Sequence, residues 1–489
     1  MEHNGITGFL ENKSILITGA TGFLAKIFVE KVLRVQPNVK KLFLIIRAKD
    51  IKSAEKRLQD EVIGKDLFKV LKGKYGANFN SFISEKVSPV VGDISSINLG
   101  VSDHDLKEKL WDEIDIIVST AATTRFDERY DLALETNTMG AMNILDFAKK
   151  CVKLERLLHV STAYVCGETS GLIMEKPLKM GETLNGVPGL DIGQELNILQ
   201  EKKTELQARN ATKEEETVAM RELGMQRARI YGWPNPYVFT KSMGEMLLGH
   251  SSENVPLCII RPTIITSTYK EPFPGWMEGY RTIDGFVIGY GKGNLTFFIG
   301  DPDLVLDLIP GDMVVNAMIV AMVTHDNQQS KFIYQVGSSL TNPFTFSTFR
   351  DLGYHYFSKN PWTDNDGKIV RVSKAKLFGT EISFQKYIAL RYLLPLKGFQ
   401  VLNAALCNLF QDTYTNANRK IKFMLRLVEL YKPYVFFRGV FDNSNSEGLQ
   451  TTLTNESELS TYYMDPRIID WEDYFMTAYF PGSVQYVFK

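Results

Sequence analysis

Short apolar runs alternate with stretches of helical spacing over the first third of the chain. Ser14–Thr18 (SILIT), Lys41–Ile46 (KLFLII), Val87–Val91 (VSPVV), Ile114–Ser119 (IDIIVS) and Leu157–Ser161 (LLHVS) each read as a strand. Between the first two, Phe23–Val35 places Phe23, Ile27, Phe28 and Leu33 on one helical face, and Leu132–Lys150 reads as a further helix. A sixth strand is expected at Val255–Arg261, with helices at Tyr237–Leu248 and Met313–Met322. Apolar strands separated by helices predict an α/β fold, a doubly wound parallel sheet covered on both faces.

The pattern changes twice. Between Gly171 and Trp233, Glu195–Arg209 and Thr212–Arg229 are highly charged, with a capping box at Thr212-x-x-Glu215. They read either as surface helices of an insertion or as a lid over a substrate. A polar linker at Asn360–Lys368 then divides the chain into a domain of residues 1–365 and a mostly helical C-terminal domain of residues 366–489. Within the latter, Ile388–Phe410 is the longest apolar stretch. It carries Arg391 and Lys397, and Pro395 and Gly398 break its middle, so each half is too short to span a bilayer. Two readings stay open: buried helices, or helices lying in a membrane interface with their cations at the headgroups.

With 44 % hydrophobic and 23 % charged residues in 489, the composition is ordinary, which excludes disorder, collagen and coiled coil as overall descriptions. The net charge of -1 argues against a nucleic-acid partner. Cys151, Cys166, Cys258 and Cys407 lie far apart with no C-x-x-C pair, so free thiols in a reducing compartment are expected and no metal site is. Met1–Ser14 has no basic-then-apolar pattern, and no cleaved leader is expected.

The chemistry begins after the first strand, at Thr18-Gly19-Ala20-Thr21-Gly22-Phe23-Leu24-Ala25. Gly19 permits a tight turn, Gly22 lets the backbone approach a pyrophosphate, and the helix that follows turns its N–H groups to the phosphates. This is a Rossmann dinucleotide turn in its required strand–turn–helix context. Where an NAD-binding strand would end in an acid, this one ends in Arg47 and, two residues on, Lys49; two cations suit a 2′-phosphate, and therefore NADPH. Asp93 and Ile94 after the third strand are candidates for the adenine pocket, and Ala121, Ala122 and Thr123 after the fourth for the ribose and nicotinamide. Gly289-Tyr290-Gly291-Lys292-Gly293 lacks both a preceding strand and phosphate-loop spacing, and reads as a loop.

Tyr237 and Lys241 stand one helical turn apart, so an ammonium could lower the tyrosine pKa and make it a proton donor near neutral pH. Ser161 and Thr162, ending the fifth strand, offer a hydroxyl for a substrate oxygen.

Taken together, the glycine turn, the strand-end hydroxyl and the YxxxK helix resemble the extended short-chain dehydrogenase/reductase superfamily. Gly22-Phe23-Leu24-Ala25, Ile45-Ile46-Arg47, His159-Val160-Ser161-Thr162-Ala163-Tyr164-Val165, Arg261-Pro262-Thr263 and Glu271-Pro272-Phe273-Pro274-Gly275-Trp276 narrow the resemblance. They look like the plant-type alcohol-forming fatty acyl-CoA reductases, the male sterility protein family, over essentially the whole chain. The resemblance implies that Tyr237 and Lys241 are the catalytic pair, with Thr162 a better positional match than Ser161 for the hydroxyl. It implies that Asn137 positions the lysine through water, and that Pro262, Tyr237 and Lys241 join the cofactor-binding set. The implied activity is NADPH-dependent reduction of long-chain acyl-CoA to a primary alcohol through an aldehyde, with release of CoA. The implied location is the cytosolic face of the endoplasmic reticulum, attached peripherally. Rival readings are an aldehyde-forming reductase, a sugar-nucleotide or steroid dehydrogenase, and a scaffold with a degenerate reductase fold; the intact glycines, Tyr237 and Lys241 argue against the last.

Overall fold

The computed structural model describes residues 5–324, 332–364 and 366–488. Seven strands make one sheet: β1 (Ser14–Thr18), β2 (Lys41–Ile46), β3 (Val87–Val91), β4 (Ile116–Ser119), β5 (Arg156–Val160), β6 (Leu257–Pro262) and β7 (Phe332–Val336). Every pairing is parallel, in the order β7-β6-β5-β4-β1-β2-β3. The order reverses between β1 and β4, which opens a ligand crevice at their carboxyl ends. Both faces of β1 are buried, as its Ile15-Leu16-Ile17 centre requires, and Leu16, Phe43, Ile117, Leu157 and Ile259 form a core with Ile144 and Phe147. Asp115, expected inside the fourth strand, lies just before it: its carboxylate accepts from the Ser14 N–H (2.7 Å) and its carbonyl from the Glu155 N–H (2.7 Å).

The labelled helices are α1 (Phe23–Val35), α2 (Ile192–Ala208), α3 (Lys213–Ile230), α4 (Pro236–Ser251) and α5 (Gly311–Thr324). α5 is buried from Gly311 to Met322, and a Cβ at Gly311 would lie 2.7 Å from the Phe23 ring. The helix expected at Leu132–Lys150 is Tyr130–Ala133 and Gly140–Ala148, joined by a π-turn at Leu134–Met139.

The charged insertion is anchored to the sheet domain. Thr212 and Glu215 form the expected capping box on α3. Glu195 of α2, fully buried, accepts from the Tyr130 hydroxyl (2.7 Å) and from the Arg227 guanidinium of α3. A charge is tolerated in that place because each carboxylate oxygen has a donor. The Glu271–Trp276 loop is clamped as well. Asp312 of α5 accepts from the N–H groups of Tyr269, Lys270 and Glu271 (2.7–3.0 Å), Glu271 pairs with Lys31 and Arg34 of α1, and Trp276 stacks on Phe23.

The chain divides into two compact units, and not by a single cut near residue 365. The first comprises residues 1–280, 307–342 and 440–489, the second residues 281–306 and 343–439. The reason is physical: the last fifty residues return to the sheet domain. Ile6 N–H donates to Glu458 (2.8 Å), the Asn316 amide to the Tyr463 carbonyl (2.7 Å) and the Gln335 amide to the Asp442 carbonyl (2.9 Å).

The second unit pairs Phe297–Ile299 with Lys376–Phe378 and carries helices at Asp284–Gly291, Phe346–Lys359, Glu381–Ile388, Leu394–Ala405 and Gln411–Val435. Three expectations are corrected within it. The glycine cluster at 289–293 is not all loop, since Gly289 and Gly291 lie inside a helix. Pro395 does not break the apolar stretch: a π-turn at Ala389–Leu393 precedes it, and Pro395 sits in the first turn of the next helix, where its missing N–H has no partner to lose. Nor is the stretch buried. Leu390 is 69 % exposed and Leu409 74 %, with Leu394, Val401, Leu402 and Leu406 also exposed.

Candidate active site

At the carboxyl ends of β1 to β4 lies a cleft of about 240 Å³. Its wall includes Gly19, Thr21, Gly22, Arg47, Asp93, Ile94, Ala121, Ala122 and Thr123. The turn between β1 and α1 is built for close approach. Gly19 has φ +71°, and a Cβ there would sit 2.7 Å from the Ala121 nitrogen. Gly22 caps α1 and donates its N–H to the Gly19 carbonyl at 2.7 Å. No side chain stands between the cleft and the start of α1 at these positions, which suits a dinucleotide pyrophosphate.

Other expected cofactor residues lie elsewhere. Thr18 ties strand ends together: its carbonyl accepts from the Thr120 hydroxyl (2.6 Å) and its own hydroxyl from the Ala121 N–H (3.4 Å). Phe23 stacks on Trp276, Leu24 is buried, Lys49 is exposed, and Pro262 ends β6 opposite Val336; none of these four lines the cleft. Conversely, Arg57 lines it and was missed. Its guanidinium is fixed by Glu61 (2.7 and 2.9 Å) and by the Arg47 carbonyl, on a helix (Ile51–Leu58) capped by Asp50. The Arg57–Glu61 spacing was visible in the sequence, but its direction toward the cleft depends on how that helix leaves β2.

The second cluster sits on α4. Asn235 caps the helix, accepting from the Val238 N–H (3.2 Å), and Pro236 opens it. The Tyr237 hydroxyl is hydrogen-bonded to Thr162, so the structure joins Tyr237 to Thr162 and not to Ser161. Ser161 Oγ is buried and has no hydrogen-bond partner among the described residues. Burial pushes the Tyr237 phenol up to about 12, against the Thr162 hydrogen bond. This differs from the lowering expected from Lys241: burial dominates at Tyr237, and Lys241 Nζ is held by Nε2 of His159 (3.1 Å) and the Val160 carbonyl (2.8 Å). Burial brings Lys241 down to about 8, opposed by Glu245.

Asn137, inside the π-turn, contacts Thr123 and Thr240 directly. Its amide donates to the Thr123 carbonyl (3.1 Å) and Thr240 Oγ1 (3.0 Å), and its carbonyl oxygen accepts from the Thr123 N–H (3.0 Å). It thereby fastens α4 to the cleft wall. Arg261 of β6 secures the same helix from the other side, through a buried bidentate pair with Glu245.

This fold and cleft define a Rossmann-type dinucleotide-binding protein. A family model described as male sterility protein matches residues 17–318, and a second with the same description matches residues 391–489. The chain belongs to the male sterility protein family. It is 53 % identical to the alcohol-forming fatty acyl-CoA reductase of Simmondsia chinensis, over 99 % of each chain. It is also 53 % identical to the probable fatty acyl-CoA reductase 4 of Arabidopsis thaliana, over 98 % of each. Among solved structures, the terminal R domain from the myxalamid PKS-NRPS biosynthetic pathway shares the fold with a TM-score of 0.54 at 16 % identity, over 93 % of this chain and 90 % of that one.

Proposed function

We propose that the protein reduces long-chain fatty acyl-CoA to primary alcohol with NADPH, releasing CoA. The observation that carries the reading is the Tyr237–Thr162 pair, with Lys241 one turn along the same helix, in a chain alike from end to end to a reductase with that name. Two dinucleotides bound in turn would each supply one hydride, the first to the thioester carbonyl and the second to the aldehyde left when CoA departs. The Tyr237 and Thr162 hydroxyls meet the carbonyl oxygen as charge builds on it. A phenol held near 12 keeps its proton until an alkoxide forms, and then gives it up. The test is incubation of purified protein with a panel of acyl-CoAs and NADPH, followed by chromatography. Alcohols are expected; aldehyde alone would make the protein an aldehyde-forming reductase, and neither product would end the reading.

Arg47 and Arg57 support NADPH over NADH, since both line the cleft beyond β2, where a ribose 2′-phosphate would lie. Removing one charge-assisted contact costs roughly tenfold or more in affinity. Arg47→Ala and Arg57→Ala are therefore expected to raise KM for NADPH by that factor and to leave KM for NADH nearly unchanged. Equal rises for both cofactors would remove the 2′-phosphate contact.

We further propose peripheral attachment to a membrane, at the cytosolic face of the endoplasmic reticulum as the family likeness implies. Among the described residues no helix is long and apolar enough to cross a bilayer. Residues 381–435 of the second unit hold eight basic against three acidic side chains, in a chain of net charge -1, and they carry the exposed leucines and valine described above. Apolar side chains interleaved with cations suit an anionic lipid surface. The protein should float with phosphatidylserine-containing vesicles, and L390E/L409E should stay behind. Equal flotation of both would reject this surface.

A further inference from the structure

The Tyr-x-x-x-Lys spacing does not account for what holds Lys241. The imidazole of His159 receives Lys241 Nζ on Nε2 at 3.1 Å, and its Nδ1 lies 3.0 Å from Ser119 Oγ. The three side chains come from β5, β4 and α4. The parallel register sets Ser119 directly beside His159, so both point to one face. His159 is 3 % exposed, and Ser119 and Lys241 1 % each, so the groups must satisfy one another.

An ammonium has only protons to give. Nε2 is then the acceptor, the ring proton sits on Nδ1, and Nδ1–H donates to Ser119. We propose that His159 is a positioning residue: a neutral imidazole, locked in its Nδ1–H form by Ser119, that accepts from Lys241 and fixes where the ammonium stands relative to Tyr237. The proposal rests on the reading of Tyr237 and Lys241 as the catalytic pair.

Electrostatics points the same way. Burial and the adjacent Lys241 hold His159 well below the ordinary histidine range, so the ring stays neutral where the enzyme works. Facing Lys241 are this ring from β5 and Glu245 from its own helix, the latter tied to Arg261 of β6. Glu245 favours the charged lysine, and so does a lone pair aimed at Nζ. Without the imidazole, Lys241 loses its proton at lower pH, and the alkaline limb of the rate profile moves with it.

Two measurements test this. The chain has six histidines, so [¹⁵N]histidine spectra of the full-length protein are tractable, and His159→Gln assigns the resonance. The Nδ1–H pattern is expected, unchanged from mildly acidic to neutral pH; an Nε2–H or doubly protonated ring would overturn the proposal. In the second, His159→Leu is expected to lower kcat about tenfold and to move the alkaline limb of kcat down by roughly half a pH unit or more. His159→Gln, whose carbonyl oxygen can accept where Nε2 did, should restore the limb and most of the rate. An unmoved limb in His159→Leu, or a glutamine variant no better than leucine, would overturn the proposal. Should the leucine variant fail to fold, Ser119→Ala keeps the packing and should release part of the ring into the Nε2–H form; no change would overturn the lock. A wild-type protein without acyl-CoA turnover would refute the catalytic reading, while the ring spectrum would still decide the His159 contact.

Discussion

Alcohol formation falls by about 10²-fold or more when Tyr237 becomes phenylalanine. The substitution keeps the ring, and with it the stacking on Phe126 at 6.1 Å, but removes the hydroxyl bonded to Thr162. None of the residues lining the nucleotide cleft is touched, so the loss should appear in kcat while KM for NADPH stays close to its wild-type value. Product analysis under saturating NADPH checks it. Near-normal turnover by a folded variant would take the acid role from Tyr237 and give it to another group.

Arg261→Met should destabilise the first unit by about 3–5 kcal/mol, because it strands Glu245 as a buried charge. The Glu245 side chain is 1 % exposed and receives three contacts from that one guanidinium, which also donates to the Lys176 carbonyl at 3.0 Å. Replacing both residues, Arg261→Met with Glu245→Leu, removes the stranded charge and should recover most of the loss. Thermal unfolding followed by tryptophan fluorescence gives the comparison. A double variant as unstable as the single one would mean that packing, and not charge, makes the pair matter. The two predictions separate cleanly, since Tyr237 acts on the rate and Arg261 on the platform that carries Tyr237.

What could be read from the chain was local. SILIT and KLFLII are legible as strands because short β-branched and apolar runs, Ile15–Ile17 and Leu42–Ile46, form their centres. The glycine turn is legible because its backbone demands are written in two residues, and the capping box at Thr212 and Glu215 closes within a single turn. The places where the reading stopped depend on distance. Arg57 reaches the cleft only because Asp50 starts a helix in one particular direction. His159 meets Ser119 only through the register of two strands forty residues apart. Pro395 looked like a break, yet a π-turn at Ala389–Leu393 runs straight into the helix that Pro395 opens. The units themselves are interleaved, which no composition shift near residue 365 could reveal.

The return of residues 440–489 to the sheet domain also sets a timetable for synthesis. The Ile6–Glu458 bond spans 452 residues, and α5 waits for Asn316 to meet Tyr463 and for Asp312 to receive the Tyr463 hydroxyl. A ribosome releases the glycine turn early, yet the surfaces that residues 440–489 cover stay bare until those residues have themselves been made. Contacts this far apart are slow to form, because a long loop must close before they give anything back. A nascent chain stalled shortly before residue 440 would therefore be a client for chaperones, even though every residue of its nucleotide turn has already been made.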